Sequence, residues 1–189
     1  MCEFGLEYMT RDHYTGFGMV ITMTCHVDAL LDRIIVAMTK TAVEPAFYPI
    51  LTCLTTRDKR DYIVAMAGIS TWPPAVVETL THLMKRTKSA FEVRNSIAHC
   101  VWRKGRRSGT IKPMSMSARG ALKLLGSEHN EREWSAPELM AEAEKIHQLG
   151  TDLAAFMKQY GLLPSLPEKP TTQPPVIPGH KTGKAHRDR

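Results

Sequence analysis

Arg94-Asn95-Ser96-Ile97-Ala98-His99 closes the longest amphipathic pattern in the chain and decides how the rest is read. Counting back from it, Val76, Leu80, Leu83, Ala90, Ile97 and Val101 recur at helical spacing, which predicts a long helix with one buried stripe. At 100° per residue Arg94 falls on the centre of that stripe, on the line of Val76 and within about 40° of Leu80, Leu83, Thr87, Ala90, Ala98 and Val101. A guanidinium there requires a partner, because an unpaired charge on a desolvated face costs several kcal/mol and arginine does not readily shed its proton. His99 is rotated by roughly 140° from Arg94, whereas Asn95 lies about 40° from His99 and is placed to hydrogen-bond or orient its ring. On an ideal helix about 10 Å separates the Cβ atoms of Arg94 and His99, a span that an arginine, a phosphate and an imidazole close between them. Two readings follow. In one, Arg94 binds phosphate and His99 moves a proton. In the other, Arg94 forms a buried ion pair with an acidic residue, and His99 caps the helix C-terminus, where the dipole favours a cationic ring.

Working outward, Val20, Met23, Val27, Leu30, Leu31, Ile34 and Met38 predict a core or interface helix from Gly18 to Thr41, with Thr41 and Pro45 near its stop. Its Asp28 and Asp32 are four apart, and either receive Arg94 from a neighbouring helix or form a solvated face. Thr55-Thr56-Arg57-Asp58 has the pattern of a capping box, so a second helix starts there and runs to about Ser70, with Ile63, Val64 and Ala67 on its apolar side. Trp72-Pro73-Pro74 breaks the chain and supplies proline to the first turn of the long helix. Ser135-Ala136-Pro137-Glu138 is a second capping box, opening a last helix whose stripe is Leu139, Ala143, Ile146, Leu149, Leu153 and Phe156. His82 and His147 fall on polar sides. Between the last two helices, residues 103–134 are punctuated by Gly105, Gly109, Pro113, Gly120 and Gly126, which predicts an extended hairpin or irregular cover.

A chain of 189 residues with 43% apolar content suits one domain with a full-sized core. We place that domain at 1–163 and read 164–189, with six prolines among polar and basic residues, as a disordered tail. Cys2, Cys25, Cys53 and Cys100 form no C-x2-C pair, so neither a zinc knuckle nor a disulfide scaffold is expected. The N-terminus lacks the pattern of a secretory signal, and His26, Asp28, Asp32 and Arg33 break the longest apolar segment, so the expected location is cytoplasmic, off the membrane. The net charge is +6. Arg103, Lys104, Arg106 and Arg107 follow the histidine directly, and form either an RNA phosphate-binding loop or a solvated turn. The sequence contains no Gly-rich phosphate loop, no H-E-x-x-H and no serine nucleophile elbow, so no metal and no cofactor are expected.

RNSIAH resembles the motif of the HEPN (higher eukaryote and prokaryote nucleotide-binding) domains, in which a polar residue follows an arginine and a histidine comes four to six residues later. The flanking order is similar to that of small bacterial HEPN-like proteins: an apolar helix at about 17–40, Thr-Thr-Arg-Asp-Lys opening a helix at 56–69, the motif helix, and a last helix at 136–160. The resemblance covers roughly residues 4–160. It implies an all-α, up-and-down helical bundle with a short extended or hairpin insertion before the last helix, commonly dimeric. It also implies a metal-independent endoribonuclease leaving 2′,3′-cyclic phosphates, in which Arg94 stabilises the phosphorane, His99 transfers protons and Asn95 positions the ring or the phosphate. Members without activity exist, so a non-catalytic helical module that binds RNA, a nucleotide or a protein is the alternative. A third state is a toxin-like ribonuclease held inactive by a cognate nucleotidyltransferase-type antitoxin.

Assembly bears on that choice. The long helix carries a broad apolar face from Val76 to Val101, widened by Val77, Met84 and Phe91, and the first helix is apolar over much of its circumference. Four helices are not expected to cover both, which predicts a two-fold homodimer with two copies of RNSIAH near its axis. A composite site would then join Arg94 to His99 of the same or the other chain.

Overall fold

Two local hydrogen-bond patterns set the starts of two helices. In the computed structural model, which describes residues 6–39, 48–114 and 132–162, the Thr55 side chain accepts from the Asp58 N–H while the Asp58 carboxylate receives the Thr55 N–H. Ser135 and Glu138 make the same reciprocal pair. Each box satisfies backbone donors that a helix start leaves open. After a 3-10 turn at Leu6–Tyr8, the helices are α1 (Arg11–Thr39), α2 (Tyr48–Cys53), α3 (Thr56–Ile69), α4 (Pro74–His99) and α5 (Ala136–Gln159). Strands β1 (Val101–Lys104), β2 (Thr110–Met114) and β3 (Trp134–Ser135) form a small antiparallel sheet in that order. The chain is all-α in class, with a hairpin inserted before the last helix.

Two boundaries and one short element differ from expectation. α1 begins at Arg11 rather than Gly18, α4 stops at His99 so that Val101 opens β1, and the short α2 places Leu51 in the core. Val64, expected on the apolar side of α3, is exposed, because only positions in line with Lys59, Ile63 and Ala67 face the core. The proline-rich tail, and residues 115–131 of the predicted cover, lie outside the described residues.

Helix directions follow from which residues touch. Gly16 of α1 sits against Leu139 of α5, and Gly150 of α5 against His26 and Val27 of α1, so these two helices run in the same sense. α4 runs against α5: Arg86, midway along α4, pairs with Asp152 in the second half of α5, while Val93 and Ile97 in the last turns of α4 pack against the cluster that holds Leu139 from the first turn of α5. The turn after Ser70 folds α4 back along α3. Alternation therefore holds from α3 to α5, whereas α1 and α3 share one general sense, and Thr56 at the start of α3 lies beside Asp28.

The main core joins Val27, Leu31, Ile34, Ile63, Leu80, Leu149 and Leu153. A second cluster, Ile111, Trp134 and Leu139 with Phe17, Val93, Ile97 and Trp102, seats the sheet on the bundle end where α4 finishes and α5 starts. Phe17 and Trp102 meet with ring centroids 4.7 Å apart, and the Tyr8 hydroxyl donates to the Trp102 carbonyl. The sheet closes the bundle end just beyond RNSIAH.

Candidate functional site

The length difference between α3 and α4 makes the site. α3 has 14 residues and α4 has 26, or about 21 Å against about 39 Å at 1.5 Å per residue. Folded back on one another, they leave the last turns of α4 overrunning the start of α3. The buried positions of α4, Val76, Leu80, Leu83, Met84, Thr87 and Ala90, accordingly stop at Ala90. Arg94, one turn on, is half-buried rather than central in a dry stripe. It lines an open groove of about 1010 Å³ with Asn95, Phe91 and Lys88 of α4, Thr24, Cys25 and Asp28 of α1, and Thr56, Arg57, Arg60 and Asp61 of α3.

The acidic pair of α1 does not receive Arg94. The Lys59 ammonium lies 2.7 Å from Asp28 Oδ2 and 2.7 Å from Asp32 Oδ1, and Thr56 donates to Asp28 Oδ1 at 3.0 Å. Lys59 is buried at 3% exposure. Burial opposes its charge, but the two carboxylates outweigh that and hold its pKa above the ordinary lysine value. Burial in turn pushes the Asp32 carboxyl up, against the pull of Lys59, and the neighbouring Asp28 charge adds to the rise. One cation thus serves two carboxylates. The buried ion pair considered for Arg94 belongs to Lys59.

Arg94 donates to Asn95 Oδ1 at 3.1 Å, so Asn95 holds the guanidinium and not the histidine ring. His99, the last residue of α4, is exposed and outside the groove, with no side-chain hydrogen bond among the described residues. One chain therefore brings Arg94 and Asn95 together and leaves His99 on another face.

The four loop cations separate into two kinds. Arg103 and Lys104 are exposed on β1, and the Arg106 side chain is exposed in the turn. The Arg107 guanidinium is committed to the protein, reaching Glu133 at 3.5 Å and Glu138 at 3.3 Å, and donating to the Glu133 carbonyl at 3.0 Å. Glu133 also accepts the backbone N–H groups of Arg106 at 2.7 Å and Arg107 at 3.0 Å, which hold its carboxyl down at about 2. Arg107 fastens the hairpin to the start of α5.

Sequence reading missed Lys59, Arg60 and Glu133. Lys59 did leave a signal: it stands four residues before Ile63 and eight before Ala67, on the buried line of α3. Among the described residues no group of three His, Cys, Asp or Glu side chains is placed to hold a metal ion, and no helix is long and apolar enough to cross a membrane. Comparison with protein-family models, with curated proteins and with solved structures gives no match. The geometry of the groove carries the functional argument.

Proposed function

We propose that this chain is an RNA-directed, HEPN-like protein that acts as a metal-independent endoribonuclease, with Arg94 and His99 joined in a composite site at a homodimer cleft. The observation that supports it is the state of Arg94: half-buried, held by Asn95, facing an open groove, and without a carboxylate among the described residues. A structural arginine would have taken Asp28 or Asp32, and Lys59 occupies both. In the proposed reaction His99 takes the proton from a ribose 2′-hydroxyl. The 2′-oxygen then attacks phosphorus, the bond to the 5′-oxygen breaks, and that oxygen leaves with the proton that the same His99, now an imidazolium, gives back. Arg94 stabilises the added charge on the phosphorane, and Asn95 fixes the guanidinium in place.

RNA incubated with the protein in excess EDTA is expected to yield fragments blocked at the 3′ end by cyclic phosphate. His99→Ala and Arg94→Ala should each slow cleavage by about 100-fold or more. Cleavage by His99→Ala at the wild-type rate would overturn the nuclease reading.

One observation favours the second reading, a non-catalytic RNA-binding module: His99 stands exposed and outside the groove. On that reading RNA binds and survives, and His99→Ala changes neither binding nor stability.

A further inference from the structure

The charges that line the α1–α3–α4 groove pair off unevenly. Asp28 is held by Thr56 and Lys59, Asp61 lies 3.6 Å from Arg57, and Glu92 lies 3.8 Å from Lys88. Two guanidinium groups remain. Arg60 and Arg94 are both half-buried and both line the groove, and neither has a carboxylate partner among the described residues. Like charges held in one partly desolvated groove repel, and each has given up part of its hydration. An anion lying between them relieves both penalties, and the planar fork of arginine matches phosphate oxygens.

We propose that this groove is the track of a single-stranded RNA backbone, with Arg60 a phosphate-binding residue beside Arg94. The inference rests on the reading above that RNA is the ligand. It assigns the path to the groove rather than to the basic hairpin. Phe91, partly buried in the groove wall, offers a ring on which an unpaired base stacks, the combination of aromatic face and cationic groove that single strands use. Arg57 and Lys88 sit in exposed pairs that contribute little to stability, so each exchanges its carboxylate for a phosphate as the strand arrives. Arg103, Lys104 and Arg106, exposed on the hairpin, add a diffuse attraction that salt screens.

Fluorescence anisotropy of a labelled oligouridylate of about 12 nucleotides, titrated with the full chain at several salt concentrations, tests the assignment. Arg60→Gln should weaken binding by about tenfold and flatten the plot of log affinity against log salt by about 0.7, the contribution of one single-strand phosphate. Arg103→Gln with Lys104→Gln should cost less than about threefold at physiological salt. Wild-type affinity in Arg60→Gln, a larger loss in the hairpin double variant, or no binding by the wild-type chain would each overturn the proposal. If Arg60→Gln fails to fold, hydrogen exchange of the wild-type chain with and without the oligonucleotide decides. Protection at 56–61 and 88–95 supports the track, and protection confined to 103–107 overturns it. The two proposals fail separately. RNA cleavage that needs His99, with binding indifferent to Arg60, removes the track and keeps the nuclease. Binding that needs Arg60, without cleavage, does the reverse.

Discussion

Lys59 shows how a charge is kept inside a helical core: its ammonium is buried at 3% exposure, yet it touches two carboxylates at 2.7 Å each. Removing the cation leaves Asp28 and Asp32 facing each other, partly open to water at 33% and 24% side-chain exposure. Lys59→Met is therefore expected to destabilise the fold by about 2 to 3 kcal/mol, below the loss for a fully buried pair, and adding Asp28→Asn and Asp32→Asn should recover most of it in urea unfolding. The sign of its pH dependence follows from the raised pKa. The stability Lys59 contributes is fully present below 10.5, the ordinary lysine value, and is lost only as pH rises through the higher folded value. Glu133 behaves oppositely, because its hydrogen bonds to the hairpin turn lower its pKa from 4.5 to about 2. Its contribution is complete above 4.5 and is lost as pH falls through about 2. Acid titration followed by tryptophan fluorescence should show the sheet loosening in that window, since Trp102 lies in β1 and Trp134 in β3. Glu133→Gln should remove that pH-dependent step while leaving the helical signal of the bundle.

At the scale of elements, the sequence was legible wherever the deciding contacts lie within one helical turn. The Thr55–Asp58 and Ser135–Glu138 boxes are such contacts, and both helix starts stand where the residues place them. Periodicity also located the core face of α5, because that helix is covered along its length. It misplaced Arg94 because a stripe records which residues could be buried, whereas burial depends on how far the neighbouring helix extends, and α3 is too short to reach. The early start of α1 was hidden for a related reason. Gly16 and Gly18 have low helix propensity, yet Gly16 serves a close approach in which an added Cβ would come within 2.7 Å of Leu139 Cβ. Gly18 has nothing within 4 Å of the same position. The two glycines therefore separate helix propensity from packing. Gly18→Ala should stabilise by about 0.5 to 1 kcal/mol. In Gly16→Ala the overlap, typically about 1 to 3 kcal/mol, should outweigh that gain and lower the melting temperature. A Gly16→Ala protein that melts above wild type would show that α1 and α5 do not approach as described.

At the scale of the molecule, the apolar faces expected to demand a second copy are largely covered within one chain. Val76, Leu80, Leu83 and Met84 of α4, and Val20, Val27, Leu31 and Ile34 of α1, are buried in the bundle. The proposed dimer rests instead on the site itself: Arg94 faces the groove and His99 stands on another face near the same end of α4, so one chain does not gather the reacting groups. A two-fold axis near that end would set the histidine of each subunit toward the arginine of the other. Light scattering at low micromolar concentration should then give about twice the 21.2 kDa chain mass. Complementation carries the sharper prediction. Arg94→Ala and His99→Ala chains, each inactive alone, should regain about a quarter of wild-type cleavage when unfolded together in equal amounts and refolded. Half of the dimers would then be mixed, and each mixed dimer would hold one intact site of two. Recovery of that size requires that the arginine and the histidine of a site come from different subunits. A strict monomer, or mixed dimers that stay inactive, would remove the shared site and leave Arg94 to a role in binding alone.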